Sequence, residues 1–413
     1  MRNIRIEQWA FYVLSCFPLI GMKATVWAII LFALTAFIKG TYASSSKAHL
    51  ATLAMTISLF VLIGFRCLFP EANKESLSYL EVSVSLVALP LAFYLLSSAF
   101  SQKELQVGGW LFIGSSLLAF GLGMGYALFQ VAHMQLESQE VLSYHIRTIF
   151  EDAVDYHPTY ASTVLGMVIL KLLHKILNRE GHPLAAWLLM GVAMLILALL
   201  ASRTPIAATL LCMTVLVGMQ TKSVFKTAIT AITILALAFI SFQTIPSFSS
   251  RFKEVSVSNT QLPEKKNEDS FNLRTGILRC SMEMISSHWI WGIGPGQVKA
   301  RLNTCYDSIA PEVYKDKNFN THNQFMDYWA GLGLLGPLLL LALMASVTII
   351  LWKKADWVGV CTAILFLLAM QTENLLTRQN GIVAFCFFLG LHTFASSNPL
   401  SIRQPTQGPD HAD

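Results

Sequence analysis

Apolar runs long enough to cross a bilayer follow one another along nearly the whole chain, and lipid leaves a backbone few choices. A membrane-spanning helix needs about 20 mostly apolar residues, and hydrocarbon offers no water to satisfy free N–H and C=O groups. The chain has 413 residues, of which 54% are hydrophobic and 13% charged. With a mean hydropathy of +0.55, most of its surface must face lipid or other helices. Spans are expected near 8–22, 24–39, 49–69, 78–100, 106–132, 158–177, 183–201, 204–221, 224–246, 323–352, 356–372 and 379–395. The first two are short and read as a bent hairpin. The alternation of a barrel strand is absent. The expected fold is therefore an all-α integral membrane protein of about 12 transmembrane helices, with 1–413 forming a single polytopic domain.

One long polar excursion, 247–322, separates the ninth and tenth expected spans. Lys and Arg decide on which side it lies, because short cytoplasmic loops retain positive charge. With the amino terminus inside, the inner segments hold Arg2, Arg5, Lys39, Lys47, Lys103, Lys171, Lys175, Arg179, Lys222, Lys226, Lys353, Lys354 and Arg403. The opposite short loops and span ends hold only Lys23, Arg66, Lys74, Arg147, Arg203 and Arg378. Both termini are thus expected in the cytoplasm and the long loop outside. Met1–Glu7 and the apolar run after it read as a signal anchor, since no convincing small-residue cleavage site follows. The charge asymmetry accounts for the net +5, so no nucleic-acid partner is called for. Cys16, Cys212, Cys361 and Cys386 lie in apolar spans as small hydrophobes. Cys280 and Cys305 share the outer loop, where a disulfide between them is left open. No Cys/His cluster has zinc spacing.

Three glycine clusters invite over-reading. Gly331-Leu-Gly-Leu-Leu-Gly336 has the dinucleotide fingerprint but opens a membrane span, without the strand that motif requires. Close helix–helix packing explains it better, and Gly121-Leu-Gly-Met-Gly125 reads the same way. Trp291-Gly-Ile-Gly-Pro-Gly296 reads as a turn after a short outer helix, its glycines supplying φ > 0.

The expected topology brings the remaining unusual polar residues to one face. Arg203 occupies a short outer hairpin, Ala201-Ser-Arg-Thr-Pro205, either as a snorkelling anchor or as an anion ligand. Arg274 lies in an outer amphipathic helix behind an Asp269-Ser270 cap, with Phe271, Ile277, Leu278, Met282 and Ile285 at helical spacing; taken singly, Arg274 and Arg279 read as solvated charges. In Asn320-Thr-His-Asn-Gln324, Thr or Asn is expected to cap a helix that holds His322 in its first turn, walled by Phe325, Met326 and Trp329. A helix amino terminus favours neutral imidazole, which can act as a general base. His157 and Pro158 start the sixth expected span. Glu373, Arg378 and Gln379 are unusually polar for a short connection, and either form an Arg–Glu pair or bind substrate.

In combination, the arginine of Ala201-Ser-Arg-Thr-Pro205, that of Asn272-Leu-Arg-Thr275, the Gly-Ile-Gly-Pro-Gly turn and Thr-His-Asn-Gln ahead of Gly-Leu-Gly-Leu-Leu-Gly resemble the O-antigen ligase and polymerase superfamily over roughly residues 200–340. The resemblance implies a GT-C-like, inverting, metal-independent glycosyltransferase without a cofactor, in the bacterial inner membrane with its active face periplasmic. It implies an undecaprenyl-diphosphate-linked glycan as donor and lipid A–core or another glycan as acceptor, with membrane lipids as surroundings. Carried onto this chain, Arg203 and Arg274 hold the diphosphate and His322 activates the acceptor hydroxyl. His157, Asn323, Glu373, Arg378 and Gln379 then bind substrate or support the site. Ligation, repeat-unit polymerisation and protein O-oligosaccharyl transfer all fall within the resemblance. Transport of a lipid-linked glycan is disfavoured, because the polar candidates cluster at one face rather than along a path through the bilayer.

Overall fold

The computed structural model describes residues 5–40, 47–69, 73–134, 139–244, 262–263, 270–315 and 319–395. Among these residues all regular structure is helical. Two helices open the chain, α1 (Ile6–Ser15) and α2 (Phe17–Lys39), followed by α3 (Lys47–Leu68), α4 (Lys74–Ser83) and α5 (Ser85–Leu95). Next come α6 (Gln102–Ala132), α7 (Gln139–Val154), α8 (Pro158–Leu177), α9 (Pro183–Leu200), α10 (Arg203–Thr221) and α11 (Val224–Thr244). The segment after α11 supplies α12 (Ser270–Ser287), α13 (Pro295–Ile309) and the single turn α14 (Pro311–Tyr314). The chain closes with α15 (Gln324–Leu332), α16 (Leu335–Lys353), α17 (Trp357–Ala369), a 3-10 turn at Leu375–Thr377, and α18 (Gln379–Leu389) running into a π-helical turn, Gly390–Ala395.

Among the described residues eight helices are long and apolar enough to cross a membrane, and three apolar helices are shorter. The protein is a multi-pass membrane protein. Fewer helices reach span length than the 12 runs expected: the runs 8–22, 356–372 and 379–395 form helices of 10, 13 and 11 residues. Gly21, at φ +74°, kinks the first hairpin inside α2. The expected span 323–352 is cut in two at Gly333, where φ is +74° and a Cβ would lie 2.0 Å from the Ile290 carbonyl oxygen. Gly331–Gly336 therefore does not serve packing between membrane helices. It lets the Ile290–Pro295 turn press against the α15–α16 break, and Gly331 abuts Pro295 in the same contact. That turn has its expected form, with Gly292 at φ +69° and Gly294 at φ +91°. Of Gly121, Gly123 and Gly125, only Gly123 is closely approached, by Val154 and Phe150 of α7.

α7 has no counterpart among the expected elements. It is an amphipathic helix lying against α6, with Ile146 and Phe150 buried and Leu142, Ile149 and Val154 packed on the core edge. α8 is the innermost helix, contacting α6, α7, α9, α10, α17 and α18. A cluster of Phe11, Phe17, Phe32, Phe93, Phe112 and Phe387 fills the other half of the core. Aromatic pairs of this kind add about 0.5–1.5 kcal/mol beyond area burial.

α12, α13 and α14 form a second small core of Ile277, Met284, Ile285, Val298, Leu302, Tyr306, Val313 and Tyr314. Cys280 and Cys305 are joined by a disulfide inside it, with Cα atoms 5.8 Å apart. The buried stripe of α12 differs from the expected one. Ile277, Cys280, Met284 and Ile285 face inward, whereas Leu278 and Met282 are exposed. Asp269, the expected cap residue, lies outside the described residues, and so do most of 247–269.

Candidate active site

His322 does not sit in the first turn of α15. Asn323 is the N-cap, its Oδ1 accepting from the N–H groups of Phe325 and Met326 at 2.9 and 3.0 Å. His322 precedes the cap in a left-handed conformation, φ +46°, with its own N–H donating to Asn320 Oδ1 at 2.9 Å. A non-glycine residue in this region is uncommon and carries backbone strain of order 1 kcal/mol, tolerated where the surroundings fix it. The expected apolar wall also differs. Met326 and Trp329 pack on the α12–α14 core and Phe325 on the main core, while the ring beside His322 is Phe319, with centroids 5.9 Å apart.

A carboxylate governs the imidazole instead of a helix end. His322 Nδ1 lies 3.4 Å from Glu373 Oε2, within ion-pair distance. Glu373 is buried. Burial alone would raise its pKa, but the contact and charge of His322, with His157 and the Asn374 N–H, outweigh that and hold it down at about 2. Arg378 is not its ion-pair partner. The guanidinium acts at longer range on Glu151, as one of several charges around it.

Glu373 is held in place by a loop stitched to α15. The Gln324 N–H donates to the Met370 carbonyl and the Leu376 N–H to Gln324 Oε1, at 2.9 and 2.7 Å. Asn374 Nδ2 donates to Asp327 Oδ1, Tyr79 Oη to Asp327 Oδ2, and Thr321 Oγ1 to Asn374 Oδ1, at 2.9, 2.9 and 3.1 Å. Asn323 Nδ2 donates to the Gln371 carbonyl at 3.1 Å, so this residue joins loop to helix and does not line the cavity. Burial raises the Asp327 pKa to about 6 against the lowering effect of its hydrogen bonds to Tyr79, Thr321 and Asn374. Buried polar groups are affordable when each has partners, and this network fixes the loop that presents Glu373.

His322 and Glu373 open into a cavity of about 440 Å³ whose other walls include His157, Arg378 and Gln379. Five of the polar residues expected at the site therefore share one cavity. Glu151, Asp155, Tyr160, Phe319, Asn320, Asn380 and Met22 complete the lining, and none of them was expected from the sequence to line a site. The signal that could have found Glu151 and Asp155 is the spacing of Leu142, Ile146, Ile149, Phe150 and Val154, which marks α7 as a helix ending at the cavity. His157 caps α8, its Nδ1 accepting from the Thr159 N–H at 3.3 Å. Burial, with Arg147, His322 and Arg378 nearby, lowers its pKa to about 4 despite Glu373. It is thus neutral at pH 7 with the proton on Nε2. Burial raises the pKa of Glu151, against the effect of Arg147.

Arg203 and Arg274 are not among the lining residues. Arg203 opens α10, half-buried, after Ala201 turns the chain at φ +48°. Arg147 of α7 holds this turn, donating to the Leu200 carbonyl at 2.6 Å and to Ser202 Oγ at 3.4 Å. The same α7 thereby connects the Arg203 turn to the cavity wall at Glu151. Arg274 is exposed on α12, next to Leu273, whose carbonyl accepts from Tyr314 Oη at 2.8 Å. A line of rings from Tyr306 through Tyr314 and Phe319 leads from there to His322. Among the described residues no group of three or more His, Cys, Asp or Glu side chains is arranged to hold a metal ion.

No curated protein matches the chain. A family model does, and it covers α9 to α15 and the first part of α16, including Arg203, Arg274 and His322, while His157, Glu373, Arg378 and Gln379 lie outside the matched region. Residues 184–341 match the model of the O-antigen ligase family.

Proposed function

We propose that this protein is a glycosyltransferase of the ligase type, moving a glycan from undecaprenyl diphosphate to an acceptor hydroxyl at the outer face of the bacterial inner membrane. The observation that carries the reading is the imidazole of His322 held against buried Glu373 in a polar cavity, in a chain whose residues 184–341 match the O-antigen ligase family model. A carboxylate at Nδ1 favours the tautomer with its proton on that nitrogen and leaves the Nε2 lone pair for the acceptor. The acceptor oxygen attacks the anomeric carbon from the face opposite the diphosphate and passes its proton to Nε2. The bond from that carbon to the diphosphate oxygen breaks, the electron pair leaves with the diphosphate, and the anomeric configuration inverts.

Arg203 and Arg274 are the proposed diphosphate ligands, with Arg378 a third guanidinium already at the cavity. Guanidinium forks match phosphate oxygens, and each charge-assisted contact contributes about 1.5–3 kcal/mol. Cationic side chains then supply the transition-state stabilisation without a metal. Neutral His157, with Nε2–H free to donate, and Gln379 suit sugar hydroxyls. The outer disulfide accords with an oxidising compartment for this face.

Ligation and polymerisation share donor chemistry and differ in acceptor. Purified protein given carrier-linked glycan is expected to make product on lipid A–core without lengthening the carrier-linked chain. A ladder of carrier-linked oligomers formed without lipid A–core contradicts ligation in favour of polymerisation.

A further inference from the structure

A second cavity, of about 840 Å³, adjoins the active site on the far side of the last turn of α7. Glu151 and Asp155 face the active-site cavity, while Ile149, Asp152 and Val154 line its neighbour. The kink of α2 is divided in the same way, with Met22 on the active-site side and Pro18 to Gly21 on the other. One helical turn and one kink are all that separates the two spaces.

The second cavity is an open groove with a divided lining. Leu19, Leu122 and Tyr126 are 42, 64 and 51% exposed, and the latter two lie on α6, a helix of span length. That wall faces lipid. Gln130 and Asp152 are the polar members of the lining. An occupant must therefore be an amphiphile, with chains along α6 and a polar head toward the α7 turn.

The donor has a place elsewhere. Arg203 stands at the head of the α10 stripe Ile206, Leu210, Met213 and Val217, spaced three or four residues apart on one face. The apolar part of this stripe lines a separate, largely apolar cavity of about 790 Å³ between α8, α9, α10 and α11. An isoprenoid chain hanging from a diphosphate at Arg203 falls into that cavity. The groove at α6 is then left for the other lipid-anchored substrate.

We infer that the groove between the α2 kink, α6 and α7 docks the lipid anchor of the glycan acceptor, whose sugars cross the α7 turn to reach His322. The inference rests on the glycosyltransferase reading above. Three carboxylates, Glu151, Asp152 and Asp155, flank the crossing.

Photo-crosslinking in a His322→Ala background reads binding without turnover. A benzophenone side chain at Leu122 is expected to capture labelled lipid A–core and not the carrier-linked glycan, and one at Met194, in the α9 cavity, is expected to do the reverse. In otherwise unaltered protein, Leu122→Trp is expected to raise the acceptor KM about tenfold while the donor KM and the thermal midpoint stay unchanged. Capture of the carrier-linked glycan at Leu122, capture of bulk phospholipid alone, or an unchanged acceptor KM in Leu122→Trp each overturns the assignment. If the native enzyme transfers glycan to lipid A–core while Leu122 captures none, the groove assignment fails and the ligase reading stands; if it builds only carrier-linked oligomers, the ligase reading itself fails.

Discussion

A buried carboxylate is stable only where partners meet its charge, and for Glu373 those partners are His322, His157 and one backbone N–H. Glu373→Gln keeps the shape and removes the charge, so the imidazole loses the group that fixes its tautomer. The expected result is a fall in kcat of about tenfold to a hundredfold with little change in substrate KM. An unchanged kcat removes Glu373 from the mechanism. The pH dependence of stability has a defined sign. Glu373, lowered from 4.5 to about 2, gives stability that is full above the unfolded value and lost as pH falls through 2. His157, lowered from 6.5 to about 4, also favours the fold in its deprotonated form, so its contribution is full above 6.5 and lost as pH falls through 4. Thermal midpoints in detergent are therefore expected to be flat with respect to both groups above pH 6.5 and to decline toward pH 4. A His157→Gln variant should lose most of the decline above pH 4.

At the scale of elements, the site depends on the loop after α17 being fastened to α15. Asp327 accepts from both Asn374 and Tyr79, and an asparagine there must turn its amide nitrogen toward one of these donors. Asp327→Asn is expected to cost about 1–3 kcal/mol of stability and to lower kcat through displacement of Glu373. A thermal midpoint and kcat both at the wild-type value contradict the fastening role. The same elements explain what was legible from sequence. Spans such as α8, α9 and α10 announce themselves by continuous apolar composition, and Pro158 marks one start to the residue. α7 was not legible by that criterion, because an amphipathic helix has only half an apolar face. The break at Gly333 was hidden inside an apolar run, since its cause is a carbonyl from the distant Ile290 turn. His322, Glu373 and Arg378 could be picked out as polar residues in odd places. That Glu373 belongs to His322 and not to Arg378 is set by long-range hydrogen bonds that no local pattern records.

For the whole molecule, the proposed chemistry requires the cavity, α12 to α14 and the α9–α10 turn to share the outer face of the membrane. A reporter enzyme fused near Asn259 is expected to be active only outside the cytoplasm, and one fused after Arg403 only inside. A carboxyl terminus outside places the cavity on the wrong side for a glycan already carried across the membrane. The central claim is that His322 takes the proton of the acceptor hydroxyl, and single-turnover transfer by His322→Ala tests it most directly. With carrier-linked glycan and lipid A–core both saturating, the variant is expected to insert and bind both lipids normally and yet to transfer at least a hundredfold more slowly across neutral pH, on the order of what a general base contributes. Turnover close to wild type between pH 6 and 8 contradicts the claim.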